Sequence, residues 1–152
     1  MIEKQISLTI ESRLENVSQV GVAVNNYCAQ LPLNPEEANK VELCVNEAVV
    51  NSIKHAYQNA PNQFVEIVIS TDDDWLIIQV SDTGKSMNPD RLSSTSTQFA
   101  EYSIEDLDAV PSTGRGLMII KSYMDSVSYK IEAFRNTLTM TKKIIISKDT
   151  SL

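Results

Sequence analysis

Glu47, Asn51 and His55 fall four residues apart in the stretch VELCVNEAVVNSIKHAY, residues 41 to 57. On helical geometry that spacing stacks a carboxylate, an amide and an imidazole along one face, about 6 Å per step. A carboxylate can accept a proton and an amide oxygen is a good ligand for a hard cation, so such a face could move a proton beside a divalent metal. The solvated edge of a surface helix uses the same residue types, and this helix alone leaves both readings open. Two other stretches carry patterns with chemical content. In WLIIQVSD, Leu76, Ile78 and Val80 share one strand face, and strict alternation puts Asp82 on that face too, an acid aimed inward at a strand end. Before Thr83 and Gly84 an Asp can also simply cap a turn. In STGRGLMII, Gly114 and Gly116 open a helical run, where backbone N–H groups can approach an anion closely and the helix dipole favours phosphate. Glycines at such a junction also serve tight packing.

A fourth pattern is a false lead. DTGKS, residues 82 to 86, imitates the end of a phosphate-binding P-loop. That loop needs a glycine five residues before its second Gly, where this chain has Gln79 inside a strand, and it must open a helix, whereas Pro89 follows closely.

These residues need elements to hold them. Val41, Cys44, Val45, Ala48 and Ser52 recur at three- and four-residue steps, a core-facing stripe for one helix running to Tyr57. Its start is marked by Asn34 as N-cap, Pro35 at the first helical position, and Glu36 and Glu37 at the positive end of the dipole. Upstream, Lys4 to Ile10 alternates as a half-buried strand, and apolar residues from Glu15 to Leu31 keep helical spacing until Pro32. Downstream, FVEIVIS and WLIIQVSD form a hairpin across TDDD, and a third helix begins at the glycines of STGRG. VSYKIEAF and TLTMTKKIII form a second hairpin joined at Arg135 and Asn136. Between Gly84 and Gly114 no period is evident; residues 86 to 112 carry five acids against Arg91 alone. A stretch of that length inside a compact domain reads as a lid, at about residues 87 to 113, and its acids would tolerate phosphates only with a metal ion or cationic side chains to offset them. Residues 147 to 152 read as a frayed tail. The order of elements implies an α+β fold, a two-layer sandwich whose mostly antiparallel sheet is covered on one face by helices, in a single domain over residues 1–152.

Composition narrows the function. With 42% hydrophobic residues and four Gly in 152, the chain has apolar material for an ordinary core. A net charge of −7 leaves no basic footprint for nucleic acid or anionic membrane, which favours a protein partner or small ligand. One His cannot build a histidine metal site, and Cys28 and Cys44, with no C-x-x-C spacing, read as reduced thiols. MIEKQISLTI lacks the apolar run of a signal peptide and nowhere do 18 apolar residues follow one another, so the expected location is the cytoplasm.

A helix with Glu and Asn four apart, a strand ending Asp-x-Gly, and a Gly-x-Gly opening a later helix occur here in one order. In that order the chain resembles the GHKL, or Bergerat-fold, ATPases, and most closely the stand-alone anti-sigma-factor serine kinases of bacterial partner switching. NEAVVNSIKHAY is similar to the family's N box, VSDTGKSMNP to its first glycine box and GRGLMIIKSYMD to its second. The resemblance implies Glu47 as general base, Asn51 as Mg²⁺ ligand, Asp82 as reader of the adenine amino group, and Gly84 as the point of close approach. It implies Thr113, Gly114, Arg115, Gly116 and Leu117 around the phosphates. Ser86 departs from the second glycine of the related histidine kinases. Pro111, Ser112 and Thr113 stand where some anti-sigma kinases carry an arginine, whose charge Arg115 or Lys85 would replace. No task is implied for His55 beyond packing or the rim. The implied activity is ATP- and Mg²⁺-dependent phosphorylation of an anti-anti-sigma (STAS-type) protein, with capture of a sigma factor or similar target by a homodimer. The alternating strand from Lys4 to Ile10 is a candidate edge for that dimer, since an unpaired apolar edge tends to find a partner; a strand that pairs only within its own sheet would leave a monomer. An interaction module that binds nucleotide without transfer is the alternative, and a bare ATPase is a further one.

Overall fold

The protein is described from a computed structural model, which covers residues 2–95 and 112–144. Strand β1 (Ile2–Glu11) leads through a 3₁₀ turn (Leu14–Asn16) into helix α1 (Val17–Cys28), and helix α2 (Pro35–Asn51) continues into a π-helical turn, Ser52–Ala56. Strands β2 (Phe64–Asp72) and β3 (Trp75–Asp82), the short helix α3 (Asp90–Ser94), helix α4 (Ser112–Tyr123), and strands β4 (Ser126–Glu132) and β5 (Arg135–Lys143) complete the order. The strands form one sheet in the order β1-β2-β3-β5-β4 with every pairing antiparallel. The α+β two-layer expectation holds.

Alternation decides which sheet face is covered. Val65, Ile67 and Ile69 of β2, Leu76, Ile78 and Val80 of β3, and Leu138 and Met140 of β5 are buried on one face. Val41, Cys44, Val45, Ala48 and Val49 of α2 join them in the same cluster, with Val20 and Val24 of α1 and Ile119 and Ile120 of α4. Each large aliphatic side chain buried there contributes on the order of 1.5–3 kcal/mol, so α2 is fixed mainly by its apolar stripe. Asn34 caps α2 as its sequence suggests, its side-chain oxygen accepting from the Glu37 N–H at 2.8 Å.

Four boundaries differ from expectation. The helix expected to run unbroken to Tyr57 keeps α geometry only to Asn51, then widens by a residue per turn, with the Tyr57 N–H donating to the Ser52 carbonyl at 3.0 Å. Helix α1 ends at Cys28, three residues short of Leu31. Helix α4 begins at Ser112, so Gly114 and Gly116 lie inside its first turns. The second hairpin turns at Ala133 and Phe134, with Ala133 at φ 49°, and not at Arg135 and Asn136. Arg135 and Asn136 open β5 because tertiary demand overrides their turn propensity: Arg135 pairs with Glu66 at 2.5 Å, and Asn136 sits opposite Asp82. The expected lid begins with α3 within residues 87 to 95; its remainder through residue 111, and the tail, lie outside the described residues.

Candidate functional site

The end of β3 converges with the end of α2. Asp82 is only 8% exposed, and its carboxylate accepts three hydrogen bonds: from Ser52 Oγ to Oδ2 at 2.8 Å, and from the Gly84 N–H at 3.1 Å and Asn136 Nδ2 at 2.9 Å, both to Oδ1. Ser52, capping the end of α2 in helical conformation, faces β3, and the register of β5 aims Asn136 at the same carboxylate. An ionised carboxylate offers about four acceptor sites. One remains, on Oδ2.

The turn that follows is held from three sides. The Thr83 N–H donates to the Tyr57 hydroxyl at 2.7 Å, and that hydroxyl donates to the Phe64 carbonyl at 2.6 Å. The Lys85 N–H donates to the Ala56 carbonyl at 2.8 Å, and the Met87 N–H to the Tyr129 hydroxyl at 2.9 Å. Gly84 is fitted to this packing. A Cβ there would overlap the Ala56 carbonyl oxygen and stand 2.5 Å from its carbon. The close approach that Gly84 allows is therefore to the π turn of the chain itself.

Glu47 and Asn51 face α4. A Cβ on Gly116 would stand 2.9 Å from Glu47 Oε2 and 3.3 Å from Asn51 Nδ2, so the bare glycine lets the first turns of α4 close on both side chains. Burial raises the Glu47 carboxyl above the ordinary carboxylate range, and the charges of Arg115 and Lys54 pull the other way. A raised carboxyl is better matched to accepting a proton near neutral pH. His55 is exposed on the π turn; desolvation, then the Arg91 and Lys54 charges, hold its pKa below the usual imidazole value.

A cleft of about 640 Å³ opens between these groups. Val80, Leu117 and Leu138 give it apolar walls; Asn51, Asp82 and Lys85 give it polar ones. Arg91 reaches it from α3, which Lys121 of α4 anchors by donating to the Leu92 and Thr95 carbonyls at 2.8 and 2.9 Å. His55 is at its rim. Glu47 lies one turn behind Asn51 and does not line the cleft; of the α4 residues expected around phosphates, Leu117 lines it and Gly114, Arg115 and Gly116 do not. Thr113 is in the first turn of α4, with its side chain outside the described residues. Among the described residues no three His, Cys, Asp or Glu side chains converge to hold a metal.

Sequence reasoning missed Asn136, the bond from Ser52 to Asp82, and the two tyrosines behind the turn. The signal for Asn136 was present: Asn136, Leu138 and Met140 alternate as Leu76, Ile78, Val80 and Asp82 do, which places the amide on the buried face at a strand end.

Comparison with known proteins gives the same architecture. The family described as "Histidine kinase-like ATPase domain" matches residues 10–142. The chain is 30% identical over 148 residues to an anti-sigma F factor of Oceanobacillus iheyensis, covering 97% of each, and 29% identical over 149 residues to that of Geobacillus stearothermophilus, covering 98% of each. Among solved structures, the RsbU and RsbW domains of a Mycobacterium tuberculosis protein superpose with a TM-score of 0.64 at 12% identity, over 93% of this chain and 33% of that one. The SiaB-SiaC complex of Pseudomonas aeruginosa superposes at 0.57 and 17% identity, over 92% of this chain and 89% of that one. With its inward acid at the end of β3 and a Glu–Asn pair on α2 against a glycine in the first turns of α4, and with the family's model matching residues 10–142, the chain belongs to the histidine kinase-like ATPase family.

Proposed function

We propose that this protein is an ATP-dependent protein serine kinase that also acts by binding: it phosphorylates an anti-anti-sigma, STAS-type protein and sequesters a sigma factor or similar target. The observation that carries this reading is that an acid with a single open acceptor site and Asn51 line one cleft, with Glu47 one helical turn behind Asn51 and packed, like it, against Gly116. Asp82 accepts the adenine amino group, and Gly84 and Lys85 hold the turn beneath it. Gly114, Arg115, Gly116 and Leu117, with Thr113, meet the phosphates. The relatives named anti-sigma F factor, matched end to end, support the regulatory half.

The donor set suits Mg²⁺, which keeps several waters and is bound through one or two protein oxygens plus substrate phosphates. Asn51, which lines the cleft, would supply one such oxygen. When bound, the ion would neutralise charge on the phosphates. Glu47 accepts the hydroxyl proton of the incoming serine as its oxygen bonds to the γ-phosphorus and the bond to the ADP oxygen breaks. Strand β1 lies at a sheet edge, with Ile6, Leu8 and Ile10 half-buried, and supports a two-fold dimer through that edge. No helix among the described residues is long and apolar enough to cross a membrane, in keeping with action in the cytoplasm.

The test is transfer. Purified protein with γ-labelled ATP, Mg²⁺ and the STAS-type acceptor should label a serine of the acceptor, and Glu47→Gln should abolish the label while nucleotide still binds. Turnover without acceptor would mark a bare ATPase, and nucleotide binding with no transfer would mark an interaction module; either result overturns the kinase reading.

A further inference from the structure

We infer that Asn136 determines base selectivity, by occupying one oxygen of Asp82 so that the carboxylate can read one donor but not two. The inference rests on the proposed nucleotide site and deepens it. Adenine offers a carboxylate one donor group, its exocyclic amine. Guanine is read by a carboxylate through two adjacent donors, the ring N1–H and the 2-amino group, which together need both oxygens. In this protein Oδ1 already accepts from the Gly84 N–H and from Asn136 Nδ2, and Oδ2 accepts from Ser52 Oγ. The remaining acceptor site suffices for adenine and fails for the paired donors of guanine. A purine with an oxygen at position 6 is further disfavoured, since it sets an acceptor against Oδ2.

The amide can do this because its orientation is fixed. Asn136 is 2% exposed; its Nδ2 also donates to the Gly84 carbonyl at 3.0 Å, and its Oδ1 accepts from Ser86 Oγ at 2.6 Å. Reversing the amide would set its oxygen against Asp82 Oδ1 and the Gly84 carbonyl, and take a donor away from each. Ser86 thus has a task that a glycine in its place could not perform: it anchors the outer end of the amide that faces Asp82. Asn136 is a positioning residue, acting on the base through Asp82.

The experiment is calorimetric titration of the full chain with Mg-ATP and Mg-GTP, comparing wild type, Asn136→Ala and Ser86→Ala. The quantity read is the ratio of the two dissociation constants. Wild type should favour ATP. Asn136→Ala, which frees a site on Oδ1, should lower that preference about tenfold or more, the order expected for regaining a hydrogen bond to a charged group. Ser86→Ala, at an exposed position where folding is not at stake, should lower it in the same direction by a smaller factor. A purely structural role for Asn136 would weaken both nucleotides alike and leave the ratio unmoved. An unchanged ratio in either variant that folds overturns the inference while leaving the nucleotide site intact. Failure of wild type to bind ATP would remove the site and the inference together.

Discussion

Replacing Asp82 by Asn tests the site most directly, because the structure dictates how the new amide must sit. Two donors, the Gly84 N–H and Asn136 Nδ2, point at Oδ1, so the single oxygen of the asparagine must take that position. Its NH₂ then replaces Oδ2, next to Ser52 Oγ at the 2.8 Å now spanned by the hydroxyl-to-carboxylate bond. Ser52 can rotate its proton away and accept instead, so every polar group facing the protein keeps a partner. The stability cost is limited to exchanging charge-assisted bonds for neutral ones, roughly 1 kcal/mol. On the cleft side the change is not absorbed. The open acceptor becomes an N–H, donor against the donating adenine amine, and a hydrogen bond to a charged group worth about 1.5–3 kcal/mol is lost. At about 1.4 kcal/mol per decade, ATP should bind roughly 10- to 100-fold more weakly. Calorimetric titration beside a urea melt of the same sample separates the two terms. Affinity within twofold of wild type, in a variant that melts normally, would refute Asp82 as the base reader.

Three other substitutions separate packing from chemistry. Glu47→Gln should cut acceptor phosphorylation about 10²–10⁴-fold, the usual weight of a general base. It should also melt higher than wild type at neutral pH: the folded-state carboxyl is raised by burial, so its contribution to stability is full below the unfolded pKa and lost as pH rises through the folded one, and an amide escapes that loss. The advantage should vanish in acid; a lower melting temperature at pH 7 would contradict the burial argument. Gly84→Ala drives a methyl into the Ala56 backbone, which cannot move aside as a side chain can, and should cost about 1–3 kcal/mol in a urea melt. Gly116→Ala instead meets the mobile ends of Glu47 and Asn51; stability should stay within about 1 kcal/mol of wild type, helped by helix propensity, while transfer falls at least about tenfold because both groups are pushed aside.

How much of this was legible follows the physics of each element. Period-two alternation set β1 and β3 on their correct faces and turned Asp82 inward, since one face of the sheet is buried and register is then strongly constrained. The cap signals of α2 were local and held. Local rules failed where a tertiary polar contact outweighed them. Arg135 and Asn136 look like a turn, yet a buried carboxylate needs the amide of Asn136, and the turn moves two residues back to Ala133 at positive φ. Ser52 sits on the apolar stripe, where spacing implies only a small core residue; that its hydroxyl meets Asp82, 30 positions away, depends on how α2 docks on β3, which no spacing within α2 reveals. Asn46 stayed illegible for a like reason: it packs against Gly21 on α1, a contact set by the crossing of two helices.

The π turn explains how one helix serves both halves of the site. Consecutive residues on an α-helix point about 100° apart, so Asn51 and Ser52 naturally face different neighbours, α4 and the end of β3. A continued α-helix would carry the following residues round on the same spiral. The extra residue in the turn, closed by the bond from the Tyr57 N–H to the Ser52 carbonyl, shifts everything after Ser52. The shift lands the Ala56 carbonyl on the Lys85 N–H and against the bare Gly84, and sets Tyr57 behind Thr83. The turn that follows Asp82 is thereby bolted to the same helix that carries Glu47 and Asn51. Movement of α2 relative to α4 must carry the Asp82 turn with it, so Asp82 stays in fixed relation to Glu47 and Asn51, while Lys121 ties α3 to α4.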